Sequence, residues 1–435
     1  MRKLLRAQVF HTPRNPFSTD KGLETFFDGG VAIERGLIVA IGEYSELRRR
    51  YPEFEVKDLR PGILLPGLID THVHYPQIHL VGAMGLRLMD WMKTRALPAE
   101  VQMSNPIHAR QVARDFLWGL LRNGTTSALV VGAHFPQAQD IFFREAAALG
   151  MQITSGMVIS DQDLVPELCQ SPTYAYESNV VLIRRWHGRA RIRYAVTPRF
   201  ALSTSPAMLN VAKTLLRENP GLTLQTHLNE TADEIRMVRR CFPLTRDYLE
   251  VYEAFDLVGP DSVFAHNVHP TASEMERLVE AHASVAHCPT SNSFLGSGLF
   301  PMKAHTERGI NIALGSDVGA GTGFGIFKEG LMAYQVQMLQ ADGYPLSPAK
   351  LLYLATMGGA TAMGIQEEVG DFAPGKIADM VLIAPPKGST LDLVLSHADS
   401  EEEVLGAVFT LAGETSVLEV FLAGRPMLHQ VRCAH

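Results

Sequence analysis

The sequence predicts an α/β fold, a (β/α)8 TIM-like barrel of about 300 residues with a small β-sandwich domain built from both chain termini. Three observations carry this. Between residues 66 and 368, eight short β-rich runs alternate with helical stretches. Both ends of the chain carry hairpin-like β runs, and neither end has enough strands to be stable alone, so they are expected to pack together. Apolar residues make up 46% of the chain, enough for a large core. The predicted boundaries are 1–65 plus 369–435 for the sandwich and 66–368 for the barrel. A doubly wound open sheet is the alternative that strand alternation alone leaves standing.

In chain order, DGGVAIERGLIVAIGEY (28–44) reads as two strands around a Glu34-Arg35-Gly36 turn. The eight barrel runs follow: 68–74, 125–131, 152–159, 191–197, 222–228, 262–266, 284–288 and 310–317. GDFAPGKI (370–377) has the glycine and lysine spacing of a phosphate-binding loop, but Ile377 replaces the hydroxyl residue that would ligate magnesium. It is read as a β-turn at Pro374-Gly375, leading into a strand over 377–383. VLEVFLAGRPML (417–428) closes the chain as strand, glycine turn and short return.

Charge and cysteine content exclude several functions. Lys and Arg number 39 against 46 Asp and Glu, a net charge of −7 with no basic run, which argues against nucleic acid or anionic lipid as partner. No apolar stretch approaches membrane-spanning length, and MRKLLRAQVFHTP lacks the apolar core of a signal peptide, so a cytoplasmic location is expected. Cys169, Cys241, Cys288 and Cys433 are scattered, which suits a reducing compartment and forms neither a disulfide framework nor a zinc ribbon.

The chemistry is expected where strands end. His72 and His74 lie two apart at the end of one run, so both side chains point to one face and can share a metal. Alone, that pair is weak. His227, His266 and Asp317 stand at the ends of other runs, and in a barrel all these ends meet around one mouth. Imidazoles with a carboxylate suit Zn²⁺ or Fe²⁺ in a site that keeps a position for water. Glu230 follows His227 by three residues, just before a Thr231/Glu234 capping box that fixes its direction, and is expected to shuttle a proton. His11, His187, His282, His287, His397, His429 and His435 are read as surface or core residues. GAGTGFG (319–325) does not match a dinucleotide fingerprint and is expected to let backbone approach the site. Signatures of zincin proteases, α/β-hydrolases and small cytidine-type deaminases are missing.

PGLIDTHVH (66–74), THLNE (226–230), AHN (265–267), GSDVGAG (315–321) and PGKIADMVLI (374–383), in this order, resemble the amidohydrolase superfamily over nearly the whole chain. HVHYPQ (72–77), LMDWMKTRALPAE (88–100), TPRF (197–200) and AHCPTSNSFLGSGLFP (286–301) resemble its guanine deaminase group. The resemblance implies hydrolytic deamination of guanine to xanthine and ammonia. It implies one zinc ion, with iron(II) as the other candidate, held by His72, His74, His227 and Asp317. His266 would then bond the attacking water or the developing anion, Asp317 would accept the water's proton, and Glu230 would protonate the ring. Gln77, Arg199 and Phe200 would clamp and stack the purine, with His227 and Glu230 also touching it and Trp91 closing the pocket. Thr197-Pro198-Arg199 stands where two-metal relatives carry a bridging lysine, which favours a single ion. Adenine would leave Arg199 and Gln77 unpaired and so be rejected. A homodimer is expected by analogy. Another deaminase on the same fold, for 8-oxoguanine, a pterin or a triazine, would keep the metal set and change the Gln77 and Arg199 contacts. A silent binding protein is disfavoured because every ligand and Glu230 are intact.

Overall fold

Residues 2–428 are described by the computed structural model, so Cys433, His429, His435 and the last residues of the expected sandwich segment lie outside the described residues. The chain opens with β1 (Arg2–His11), β2 (Glu24–Glu34), β3 (Leu37–Glu43) and β4 (Glu55–Pro66). β2 and β3 form the expected hairpin, and Arg35 and Gly36 at its turn both have positive φ. β4 then runs parallel to β1 and delivers the chain to the barrel.

The middle of the chain supplies β5 (Leu68–His74), β6 (Thr125–Val131), β7 (Gln152–Gly156), β8 (Val158–Ile159), β9 (Ile192–Pro198), β10 (Thr223–Leu228), β11 (Ser262–His266), β12 (Ser284–His287) and β13 (Asn311–Leu314). These strands are parallel, in the order β13-β12-β11-β10-β9-β7-β6-β5, with β8 paired to β9. β5 and β6 are buried at every position, as strands covered on both faces must be. The edges β13 and β5 meet through Thr71 Oγ1, which donates to the Leu314 carbonyl (2.9 Å), and the Asp317 amide, which donates to the His72 carbonyl (2.8 Å). The sheet is therefore a nearly closed barrel and not the open alternative.

Two strands differ from expectation for local reasons. The 152–159 run breaks at Met157, whose amide donates to the Tyr194 hydroxyl (3.1 Å) instead of continuing the ladder. The 310–317 run ends at Leu314, because Ser316 turns inward to bond Asp70 through its amide (3.0 Å) and its hydroxyl.

The chain returns to the first sheet with β14 (Met380–Ile383), β15 (Val417–Leu422) and β16 (Arg425–Pro426), giving the order β16-β15-β14-β4-β1-β2-β3. A bridge between Leu37 and Ile377 brings edge strand β3 back towards the start of β14. The sheet so curls over one core, in which Leu5, Val9, Val31, Leu64, Met380 and Phe421 meet. GDFAPGKI is a turn with Gly375 at φ +96°, and Lys376 is tied to Asp371 at 2.9 Å, so its ammonium serves the fold. Among the described residues no helix is long and apolar enough to cross a membrane.

Candidate active site

Period-two geometry places Asp70, His72 and His74 on one face of β5. Asp70 lies deepest, accepting from the amides of His72 (3.2 Å) and Ser316 (3.0 Å), and so ties the first strand of the barrel to the residues that carry Asp317. Gly315 makes the approach possible: a Cβ there would lie 2.8 Å from His72 Cβ. The chain leaves the strands in strained conformations at this end, with positive φ at Asn229 (51°), His266 (72°), Asn267 (45°) and Asp317 (49°). Such non-glycine residues are uncommon and costly, and their clustering at one mouth marks it as a site held by its surroundings.

The nitrogens of His72, His74 and His227 lie within 4.8 Å of one another. His72 Nε2 and His74 Nε2 each stand 3.4 Å from Asp317 Oδ1. His227 Nδ1 donates to the Arg199 carbonyl (2.7 Å), which leaves its Nε2 as the acceptor facing the group. Burial disfavours the charged imidazole and lowers the pKa of all three, that of His74 to about 3. Asp317 moves the other way from most buried acids: burial pushes its pKa up, but the hydrogen bond from His72 and the neighbouring imidazoles outweigh that and hold it below the carboxylate range. Ser291 Oγ donates to its second oxygen (2.7 Å). Neutral imidazoles beside an ionised carboxylate are the donor chemistry of Zn²⁺ or Fe²⁺, so these residues fit a divalent ion. His72, His266 and Cys288 also converge, but burial drives the Cys288 thiol well above its usual pKa, which makes it a poor ligand.

His266 and Glu230 face each other across the same cavity. Asn292 Oδ1 accepts from His266 Nδ1 (2.9 Å), and His266 Nε2 lies 3.7 Å from Glu230 and 3.9 Å from Asp317. Glu230 is raised to a pKa of about 7, first by burial, against the pull of His266 and with the help of Glu234 and Asp317. The predicted capping box is present: Thr231 Oγ1 accepts from the Glu234 amide, and Glu234 accepts from the amides of Thr231 and Glu230. Ser297 Oγ donates to Glu230 Oε1 (3.0 Å).

One cavity joins these groups to Gln77, Trp91, Arg199 and Phe200, so every residue expected at the site lies in or directly beside it. His11, His187, His282, His287 and His397 do not line it. Residue patterns missed Ser291, Asn292 and Ser297, although all three lie in the quoted 286–301 motif. They also missed Glu100, the last residue of the quoted 88–100 motif. Glu100 is only 2% exposed and accepts from Gln77 and Arg199. Burial would raise its pKa, but Arg199 and His134 hold it below the usual range. Nothing in the local sequence distinguishes a buried helical glutamate from a solvated one.

The model of the Amidohydrolase family matches residues 63–427, which takes in the barrel and the returning strands. The chain belongs to the amidohydrolase family. Among its amidohydrolase relatives, a probable guanine deaminase of Deinococcus radiodurans is 49% identical, over 97% of this chain and 98% of its own length. The guanine deaminase of Escherichia coli is 37% identical, over 96% of this chain and 95% of its own. A solved structure of E. coli guanine deaminase superposes with a TM-score of 0.95 at 36% identity, covering 98% of this chain and 99% of that one.

Proposed function

We propose that the protein is a guanine deaminase, an amidohydrolase that converts guanine and water to xanthine and ammonia with one bound zinc ion. One observation carries this reading: a single cavity is lined by His74, His227 and Asp317, with His72 directly beside them, by a Glu230 with a pKa near 7, and by the polar pair Gln77 and Arg199. The 49% and 37% identical relatives support the same substrate. Zn²⁺, when bound by the three imidazoles and Asp317, lowers the pKa of water from about 15.7 towards about 7.

The remaining steps belong to the chain. Phe200 and Trp91 wall the cavity and offer the ring apolar contact, while Gln77 and Arg199 supply its polar partners. Glu230, still protonated near neutral pH, gives its proton to the ring nitrogen beside C2 as water attacks that carbon. Asp317, ionised, takes the proton that the water loses. His266 Nε2, fixed in direction by Asn292, faces the new oxygen. The C–N bond to the amino group then breaks: the proton held by Asp317 passes to the leaving nitrogen as ammonia, the proton of the new C2 hydroxyl returns to Glu230, and the ring nitrogen keeps its proton in xanthine. A homodimer in the cytoplasm completes the proposal, and sedimentation of the purified protein tests the assembly.

The test is ammonia release with metal analysis, comparing guanine with 8-oxoguanine, a pterin and a triazine. Turnover of guanine with one zinc per chain is expected; turnover of another ring and not of guanine would overturn the substrate assignment. Arg199→Ala should reduce guanine turnover at least a hundredfold while metal content stays unchanged, about the loss expected when a buried polar partner of the substrate is removed.

A further inference from the structure

Gln77 and Arg199 depend on the same oxygen. Gln77 Nε2 and Arg199 Nη1 each donate to Glu100 Oε1 at 2.6 Å, and His134 Nδ1 stands 3.1 Å from Glu100 Oε2. All four side chains are buried. A carboxylate beside a guanidinium is ionised, and an ionised carboxylate only accepts hydrogen bonds. Gln77 therefore has one orientation. Its amide nitrogen must face Glu100, and its Oε1 is left for the cavity that Gln77 lines. Gly319, at φ +115°, leaves room on that side, since a Cβ there would come within 2.6 Å of Gln77 Oε1. Arg199 is held by one nitrogen and keeps its other N–H groups for a ligand. Glu100 stands behind both on the helix Leu97–Gln102.

We propose that Glu100 is the positioning residue for substrate selection: it fixes Gln77 as an acceptor and Arg199 as a donor, so that the cavity selects a ring with N–H beside C=O, the lactam edge of guanine. The choice of guanine rests on the function proposed above; the locking of Gln77 and Arg199 rests on the geometry alone. Glu100 touches no reacting atom in this scheme. His134, whose Nε2 bonds Ser160 Oγ at 2.9 Å, stands beside the far oxygen of the carboxylate.

Glu100→Gln tests this with little change of volume. A neutral amide at position 100 both donates and accepts, so Gln77 can turn over and present an N–H to the ring. Wild type is expected to prefer guanine over 2,6-diaminopurine, whose amino group replaces the carbonyl, by about 10⁴. In Glu100→Gln that preference should fall about a hundredfold, and KM for guanine should rise about tenfold or more. kcat should change less than KM and zinc content should stay close to wild type, while Tm falls because buried Arg199 loses its counter-charge. Glu100→Asp, which keeps the charge, should restore part of the preference. In a double-mutant cycle with Gln77→Ala the two losses should be strongly non-additive. An unchanged preference in Glu100→Gln, or additive losses, would overturn the proposal. A crystal structure of the zinc-loaded Glu100→Gln protein gives a second reading that needs no turnover. Displacement of the Arg199 guanidinium and an inverted Gln77 amide, its hydrogens located by neutron diffraction, are expected, and both groups found as in wild type would overturn the proposal. Wild type inactive on guanine would count against the proposed function, and this second reading would then decide Glu100.

Discussion

Two buried carboxylates line one cavity, 3.7 and 3.9 Å from His266 Nε2, and their surroundings drive their pKa values apart. Asp317, beside His72 and His74, is held ionised below the carboxylate range, whereas Glu230, beside a single imidazole and near two other acids, is raised to about 7. Burial is equally complete for both. The difference comes from the company each keeps, and it supports the proposed roles of one as ligand and proton acceptor and the other as proton donor. The Glu100 side of the cavity adds a third case, a carboxylate kept ionised by a permanent cation and used only to orient its neighbours.

Breaking the Asp317 side should have the largest effect. Asp317→Asn removes both a ligand and the proton acceptor, so zinc content should fall and guanine turnover should drop by about 10⁴ or more, read by metal analysis and ammonia release. Glu230→Gln should keep its zinc and lose about 10² to 10⁴ in kcat. The pH profile sharpens the contrast. Because Glu230 acts in its protonated form, kcat/KM should fall as pH rises through about 7, and that alkaline limb should be missing from the residual activity of Glu230→Gln. Ser291→Ala removes the donor to Asp317 and should weaken zinc binding by about 10- to 100-fold in competition with a chelator. The smallest change is expected of Ser297→Ala. Its hydroxyl stabilises the ionised form of Glu230, so its loss should move the alkaline limb to higher pH with only a few-fold change in rate, visible in a pH–rate titration.

Legibility followed the period of the backbone. His72 and His74 could be read because strand side chains two apart share a face, and β5 has the predicted ends. The Thr231/Glu234 box could be read because a cap is local, spanning four residues. The break at Met157 could not, since it depends on Tyr194, distant in sequence, taking the amide. Ser291, Asn292 and Ser297 sit in a motif that was noticed, yet only the structure pairs them with Asp317, His266 and Glu230.

The sequence by itself determined the eight-run alternation of the barrel, the two-ended composition of the second sheet and the residue types that suit a metal site, because these follow from local hydrophobic pattern and ligand chemistry. Tertiary structure decided which acid is held ionised and which has its pKa raised to about 7, and it set Glu100 against Gln77 and Arg199. A pKa is set by burial and by charges brought close through space, and neither is recorded in the spacing of residues along a chain.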